Sequence, residues 1–371
     1  MESLPVKVYI LAGQSNMQGQ AQLSTLPYLA MDPQTADLLP KIQTVKDGTT
    51  LFRTLDNVWI SAIGFDRADD QEERHGKLSV GFGANRQKLG PELFFGVRMQ
   101  ELLAVADNKQ QQQQPILLIK TAWGGKSLHT DFRPPSSVTQ QEQQAGKYYN
   151  MMIAHVRRVL DDISRIIPTY NPQQGYHLAG FVWFQGWNDV VDRTVYPNRH
   201  KPGGYDEYGR LLSLFIQDVR NDLDTPSLPF VIGVMGVHGA SIDDNHLHAR
   251  FRRAMEIPLK DQNMKRVIAV RTEVFWDEEI AALDGKWGEA QDKIRQWQQN
   301  NKELCETMSQ EEQQQTMDAL KDETISPEEL QLLSMAKSNA GYHYFGSAKF
   351  FCRVGIAFAE ALVREEDEEK S

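Results

Sequence analysis

Four short stretches of this chain end an apolar run in residues that can do chemistry. In the first, Val8-Tyr9-Ile10-Leu11-Ala12 gives way to Gly13-Gln14-Ser15-Asn16-Met17. That pattern places a serine hydroxyl on the first turn after a strand, the edge where open α/β sheets carry their sites. Gly13 permits a tight turn, and Gln14 and Asn16 surround the hydroxyl with amide donors, as a nucleophile whose attack creates an oxyanion requires. Ser and Asn after a strand also serve as turn formers and helix caps, so the motif gains meaning from the other three. The strand Pro115 to Lys120 runs into Thr121-Ala122-Trp123-Gly124-Gly125-Lys126-Ser127, and Ala179 to Phe184 runs into Gln185-Gly186-Trp187-Asn188-Asp189. Near the C-terminus, Ser338-Asn339-Ala340-Gly341-Tyr342-His343-Tyr344-Phe345-Gly346 precedes a helical pattern from Lys349 to Arg364. A serine, a glycine amide, an asparagine and a histidine in that order supply a nucleophile, two oxyanion donors and a base, the minimum set for acyl transfer.

The order of these blocks and their local wording resemble the SGNH hydrolases. Gly-Gln-Ser-Asn-Met and Phe-Gln-Gly-Trp-Asn-Asp are most similar to the branch holding sialate O-acetylesterases and the acetylxylan esterases of carbohydrate esterase family 6. The resemblance runs from Val8 to about Leu362. It implies Ser15 as nucleophile, His343 as general base, and Asn188 and Gly125 as oxyanion donors with the Ser15 backbone N–H, Gly124 being a near neighbour for the glycine role. It also implies a three-layer α/β/α, flavodoxin-like fold with a central parallel sheet, formed by residues 1–371 as a single domain. Gln14, Asn16, Gln185, Arg133 and Trp187 are the expected substrate-binding residues.

One position departs from the family pattern. The aspartate expected three residues before the histidine is replaced by Ala340, and the nearest stand-in, Asn339, is neutral. An amide can hold a ring tautomer but stabilises an imidazolium far less than a carboxylate does. Asp277 and Glu273, both after the strand Val267 to Val270, and Asp189, beside Asn188, are the candidate orienting acids. The expectation is that His343 Nδ1 meets a group from outside its own loop, with Asn339 or a backbone carbonyl as the plainer option.

A net charge of −10 without a basic patch disfavours nucleic acid and anionic membranes as partners. A neutral acetylated carbohydrate suits it better. Cys305 and Cys352 make neither a disulfide framework nor a metal spacing, and Cys352 lies in an apolar helical pattern. No transmembrane run or signal peptide is legible, so a secreted and a cytoplasmic location are both compatible with the chain. The reaction is complete with protein groups, so no cofactor and no metal are expected.

The positioning elements read as alternating strands and helices. Gly90-Pro91-Glu92 starts a helix through Ala104 with Leu93, Phe94, Val97 and Leu102 on its apolar face; Tyr148 to Ile167 and Leu211 to Leu223 are two more. Strands follow at Pro229 to Met235 and Val267 to Val270. Alternation of this kind predicts a parallel sheet with helices on both faces. Residues 20 to 90 read as irregular loops over the sheet edge, and the glutamines 110 to 114 as a low-complexity surface loop. From about Asp277 to Lys337 the chain turns Gln-, Glu- and Lys-rich, with Ser326-Pro327-Glu328-Glu329 as a helix start. This reads as a charged helical insertion, a solvated scaffold or a rim over the site.

Other residues carry weaker signals. His238, His246 and His248 beside Asp243 and Asp244 superficially invite zinc, but no catalytic zinc signature accompanies them. Glu92 reads as a first-turn carboxylate favoured by the helix dipole. Trp123 and Trp183 read as core, and one of the flanking tryptophans as a sugar platform at most. Two functional classes follow: a serine esterase removing acetyl groups from carbohydrate, or a non-catalytic or weakly active carbohydrate-binding relative.

Overall fold

Seven strands form the central sheet of the computed structural model, which describes residues 4–66, 70–106, 114–138 and 144–370. In chain order they are β1 (Val6–Gly13), β2 (Val58–Ile63), β3 (Arg74–Lys77), β4 (Ile116–Ala122), β5 (Tyr176–Phe184), β6 (Phe230–Val234) and β7 (Val267–Arg271). Their spatial order is β7-β6-β5-β1-β4-β2-β3, with every pairing parallel except β2 with β3. Setting aside the edge pair β2 and β3, the five remaining strands follow the flavodoxin-like order 2-1-3-4-5, whose switch point flanks the first strand. Ser15 sits at the end of that strand, where a ligand crevice opens in this class of sheet.

β5 explains how the layers are held. Phe181 and Trp183 point to one face, where both meet Phe215 of the helix Asp206–Asp222 and Phe215 meets Tyr149 of Lys147–Asp161. Gly180 and Phe184 point to the other face, against Leu362 and Phe358 of the C-terminal helix Ala348–Lys370. That helix also packs against Pro91–Ala106. Strand periodicity thus distributes one strand's side chains between two helical layers. A Cβ at Gly180 would lie 2.6 Å from a Leu362 methyl, so glycine is what lets the helix approach.

The expected irregular stretch 20 to 90 requires correction, because it contains β2. All six residues of Val58-Trp59-Ile60-Ser61-Ala62-Ile63 are buried. Its one polar side chain, Ser61, donates to Glu73 Oε1 at 2.6 Å and faces His155 Nε2 at 3.0 Å, which removes the cost of burying a hydroxyl. A surface hairpin (Gln43–Lys46 with Thr49–Phe52) lies in the same stretch. Of the glutamine run, 110 to 113 fall outside the described residues.

Between β7 and the His343 loop, helices at Glu278–Asn300, Lys302–Thr307, Gln310–Asp322 and Pro327–Ala336 occupy the charged segment. Ser326 and Glu329 form a reciprocal capping box. Ile280, Leu283, Ala290, Ile325, Leu333 and Ala336 make a separate apolar cluster that closes on Tyr28 and Phe345. Among the described residues no helix is long and apolar enough to cross a membrane.

Candidate active site

Gly13 turns the chain at the end of β1 with φ of +155°, and a Cβ there would sit 2.1 Å from the Phe184 carbonyl oxygen. The turn delivers Ser15 to the start of a four-residue helix, Ser15–Gln18, whose first N–H groups have no intrahelical acceptor. Gln14 is buried beside it and organises the neighbourhood. Its Oε1 accepts from Gln185 Nε2 at 3.1 Å and from the backbone N–H of Gly186 and Asn188 at 3.1 and 3.3 Å. Its Nε2 lies 3.5 Å from Ser15 Oγ and 3.4 Å from Asn188 Oδ1. One side chain therefore ties the end of β1 to the turn after β5.

Asn188 lies on the short helix Trp187–Val191, and its Nδ2 donates to the Gly125 carbonyl at 2.8 Å. A Cβ on Gly124 would be 3.9 Å from Ser15 Cβ, and one on Gly125 (φ +72°) 4.0 Å from Asn188 Nδ2. Both glycines of the block thus border the serine and the asparagine. Asp189 anchors the loop they belong to. Its carboxylate accepts from the Leu128 and His129 backbone N–H, from Gln185 Nε2 and from the Tyr196 hydroxyl, at 2.6 to 3.2 Å. Complete burial pushes the Asp189 carboxyl up to about 6, against the pull of those four donors.

The histidine loop meets the Ser15 turn through Asn16, whose Nδ2 donates to the Tyr342 carbonyl at 3.2 Å. Tyr344 and Phe345 follow His343 with φ of 50° and 61°, a left-handed pair that side chains resist. Ser338 and Asn339 N–H both donate to the Phe345 carbonyl, and Gly236 N–H donates to the Tyr344 hydroxyl at 2.8 Å, which fixes the loop. His343 Nδ1 stands 3.1 Å from Asn339 Oδ1. The expected partner from outside the loop is thereby corrected: the ring meets a neutral amide four residues before it. Asp277 is occupied elsewhere, capping Ile280 N–H, accepting from Tyr28 and pairing with Lys349. Asp189 is committed to the glycine loop. Glu273 is nearly buried and, among the described residues, its Oε2 has no hydrogen-bond partner; it makes none to His343. Burial, and then the nearby Lys88 ammonium, lower the His343 pKa to about 4. Among the described residues no hydrogen bond joins the His343 ring to Ser15 Oγ, a contact that often tightens only with substrate bound.

The family described as SASA, carbohydrate esterase, sialic acid-specific acetylesterase, matches residues 5–278. The chain belongs to this family. The match includes Ser15, Gly125 and Asn188 and ends before His343. No curated protein matches. A crystal structure from Arabidopsis thaliana shares 16% identity over 72% of this chain and 86% of that one, with a TM-score of 0.39. A novel carbohydrate acetylesterase from Xanthomonas citri, XAC1771, shares 14% over 71% and 49%, at 0.42. NanS shares 13% over 73% and 78%, at 0.40.

In this carbohydrate esterase, the residues expected to touch substrate divide into two groups. Gln14, Asn16 and Gln185 are buried; Gln14 and Gln185 spend their amides on the network just described, and Asn16 its Nδ2, while its Oδ1 has no partner among the described residues. Arg133 is half-buried, with Nε 3.3 Å from Ser137 Oγ. Trp187 is half-exposed and stacks on the exposed Tyr342 ring at 5.4 Å and 24°. Trp123 and Trp183 are core. His238, His246 and His248 do gather, with ring centroids 4.8 to 5.8 Å apart, but among the described residues no three His, Cys, Asp or Glu side chains are arranged to hold a metal. Sequence reasoning passed over Tyr342 and Tyr344. Their adjacency to His343 was the available signal, as Trp187 adjoins Asn188.

Proposed function

We propose that this carbohydrate esterase is a serine O-acetylesterase in which Ser15 attacks the acetyl carbonyl of an acetylated sugar. His343 Nε2 takes the hydroxyl proton, while Asn188 Nδ2 and the N–H groups of Gly125 and Ser15 receive the oxyanion. The sugar oxygen leaves with the proton returned by His343, and water repeats the sequence to release acetate. Asn339 supports the tautomer this requires: its Oδ1 accepts from Nδ1–H, leaving the Nε2 lone pair to act as base. The observation that carries the reading is the buried Gln14 hub, which joins Ser15 to Asn188, whose amide in turn holds the glycine loop, across three adjacent strand ends. A stacked Trp187 and Tyr342 at the rim provides aromatic surface for a sugar.

The neutral Asn339 favours a second reading, a weakly active relative that chiefly binds carbohydrate. Acetate release separates the two. Wild type should liberate acetate from acetylated xylan or p-nitrophenyl acetate, and Ser15→Ala should not; a phosphonate should label Ser15. Equal release by Ser15→Ala, or labelling elsewhere, would remove Ser15 from the reaction.

A further inference from the structure

In the esterase reading above, His343 Nε2 takes the Ser15 proton and its ring becomes an imidazolium, a charge that a carboxylate on Nδ1 ordinarily meets. Here Nδ1 meets the neutral Asn339 amide, and burial and the Lys88 ammonium both act against the charged ring. Either that charge is offset by another group or the step is slow.

One ring stands against the imidazole. Among the described residues the His343 ring has one hydrogen bond, to Asn339, and one ring contact, with Tyr342. The two centroids are 4.5 Å apart and the planes cross at 65°, an edge-to-face arrangement. In such pairs the positive edge of one ring meets the negative face of the other, and a cation within about 6 Å of a ring centroid is attracted to that face. The Tyr342 ring is itself held in place. Trp187 stacks on it at 5.4 Å and 24°, and the buried His248 ring meets Trp187 at 5.7 Å and 65°. The Tyr342 carbonyl accepts from Asn16 Nδ2 at 3.2 Å, next to Ser15. His343, Tyr342, Trp187 and His248 therefore form a row of four rings that ends on the helix Leu247–Met255, and Trp187 adjoins Asn188.

We propose that Tyr342 is a positioning residue for His343: its ring, in contact with His343 and Trp187, holds the imidazole by an edge-to-face contact and gives the imidazolium the negative potential that Asn339 does not supply. This rests on the esterase reading for the role of His343. The proton keeps the route given there, from Ser15 Oγ to Nε2 and on to the departing sugar oxygen, and Tyr342 neither gives nor takes it. Because Tyr342 is exposed, replacing it opens no cavity in the core.

The test varies this ring with p-nitrophenyl acetate as substrate, which carries no sugar to stack. Tyr342→Leu should lower kcat about tenfold with KM unchanged, the order of a desolvated cation–π contact. Tyr342→Phe, which keeps the ring, should recover most of that loss. Fluorines added one, two and three at a time to the ring of Tyr342→Phe withdraw π density at nearly constant shape, and kcat should fall with each. A flat fluorine series would overturn the electrostatic role, and full activity in Tyr342→Leu would overturn the positioning role with it. A raised KM for acetylated xylan with an unchanged kcat for p-nitrophenyl acetate would make Tyr342 a sugar contact only, and so also overturns the proposal. NMR titration of His343 needs no turnover. The ring should protonate at lower pH in Tyr342→Leu and in the fluorinated forms than in Tyr342→Phe, because the charged form has lost its π face; equal titration overturns the proposal. If the titration follows the series while no form, wild type included, releases acetate, the esterase reading fails alone and the hold of Tyr342 on His343 stands.

Discussion

His343 Nδ1 faces an amide oxygen, which sets both the tautomer of the ring and its strength as a base. With burial and Lys88 holding the ring near 4, the imidazole is neutral, and so competent to accept a proton, at every pH above that value. The rate with p-nitrophenyl acetate should therefore climb through about pH 4 and then level. Asn339→Asp places a carboxylate on the same atoms with little change of shape. A negative charge at that distance favours the imidazolium, so the acid limb should move up by about one unit or more. The plateau should rise at least about tenfold, since the opposite change in serine proteases costs about four decades. A pH–rate profile of both proteins decides it. An unmoved limb would mean that Asn339 does not partner the ring during turnover. Ala340→Asp, which restores the family's usual position, should act in the same direction.

The loop from Ser338 to Gly346 is the element on which this depends, because it keeps two non-glycine residues in a left-handed conformation. Such conformations cost on the order of 1–3 kcal/mol each and persist only where surrounding contacts over-determine them. Here the contacts come from three directions. Tyr344 stacks on Phe350 at 3.6 Å, its hydroxyl receives Gly236 N–H, and Phe345 sits against Trp276 and the cluster of the charged helices. The helical segment expected as scaffold or rim thereby packs against Phe345, two residues after His343. Tyr344→Phe removes only the hydroxyl and leaves the buried Gly236 N–H without its acceptor, which should cost about 1–3 kcal/mol in urea unfolding. If the hydroxyl also places His343, kcat should fall while KM stays. Unchanged kcat in a destabilised protein would show that stacking alone holds the loop. None of this was legible beforehand, since the sequence window contains no glycine at 344 or 345 to signal a positive φ.

At the scale of the whole molecule, what could be read was what periodicity and punctuation encode. The strands at β1, β4, β5, β6 and β7, the helix starting at Pro91 and the Ser326 cap all lie where their patterns put them. β2 escaped because six buried residues with a serine among them show no alternation, and a carboxylate was sought across the fold for His343 although its Nδ1 meets the Asn339 amide within its own loop. Glu92 illustrates both halves. It stands in a first helical turn, as the helix dipole favours, where its Oε1 accepts from Gly90 N–H at 2.9 Å, while nothing near it in sequence signals its partner. Glu92 Oε2 lies 2.7 Å from Lys120 Nζ, both side chains being almost fully buried. The ammonium also donates to the carbonyls of Gln18 and Phe82, which joins β4, the Pro91 helix and the end of the Ser15 turn. Burial lowers the Lys120 pKa while Glu92 pulls it back up. Glu92→Ala strands that charge and should cost about 3–5 kcal/mol at neutral pH, as breaking a buried pair does. The deficit should also depend on pH. Without Glu92 the Lys120 pKa falls further in the fold, so the unfolded chain binds the extra proton, and stability rises with pH over the interval between the two pKa values. Urea unfolding at steps from pH 7 toward 10 should therefore find Glu92→Ala regaining part of its loss relative to wild type. A deficit constant over that range would assign the cost to the cavity and the lost hydrogen bonds rather than to the buried charge.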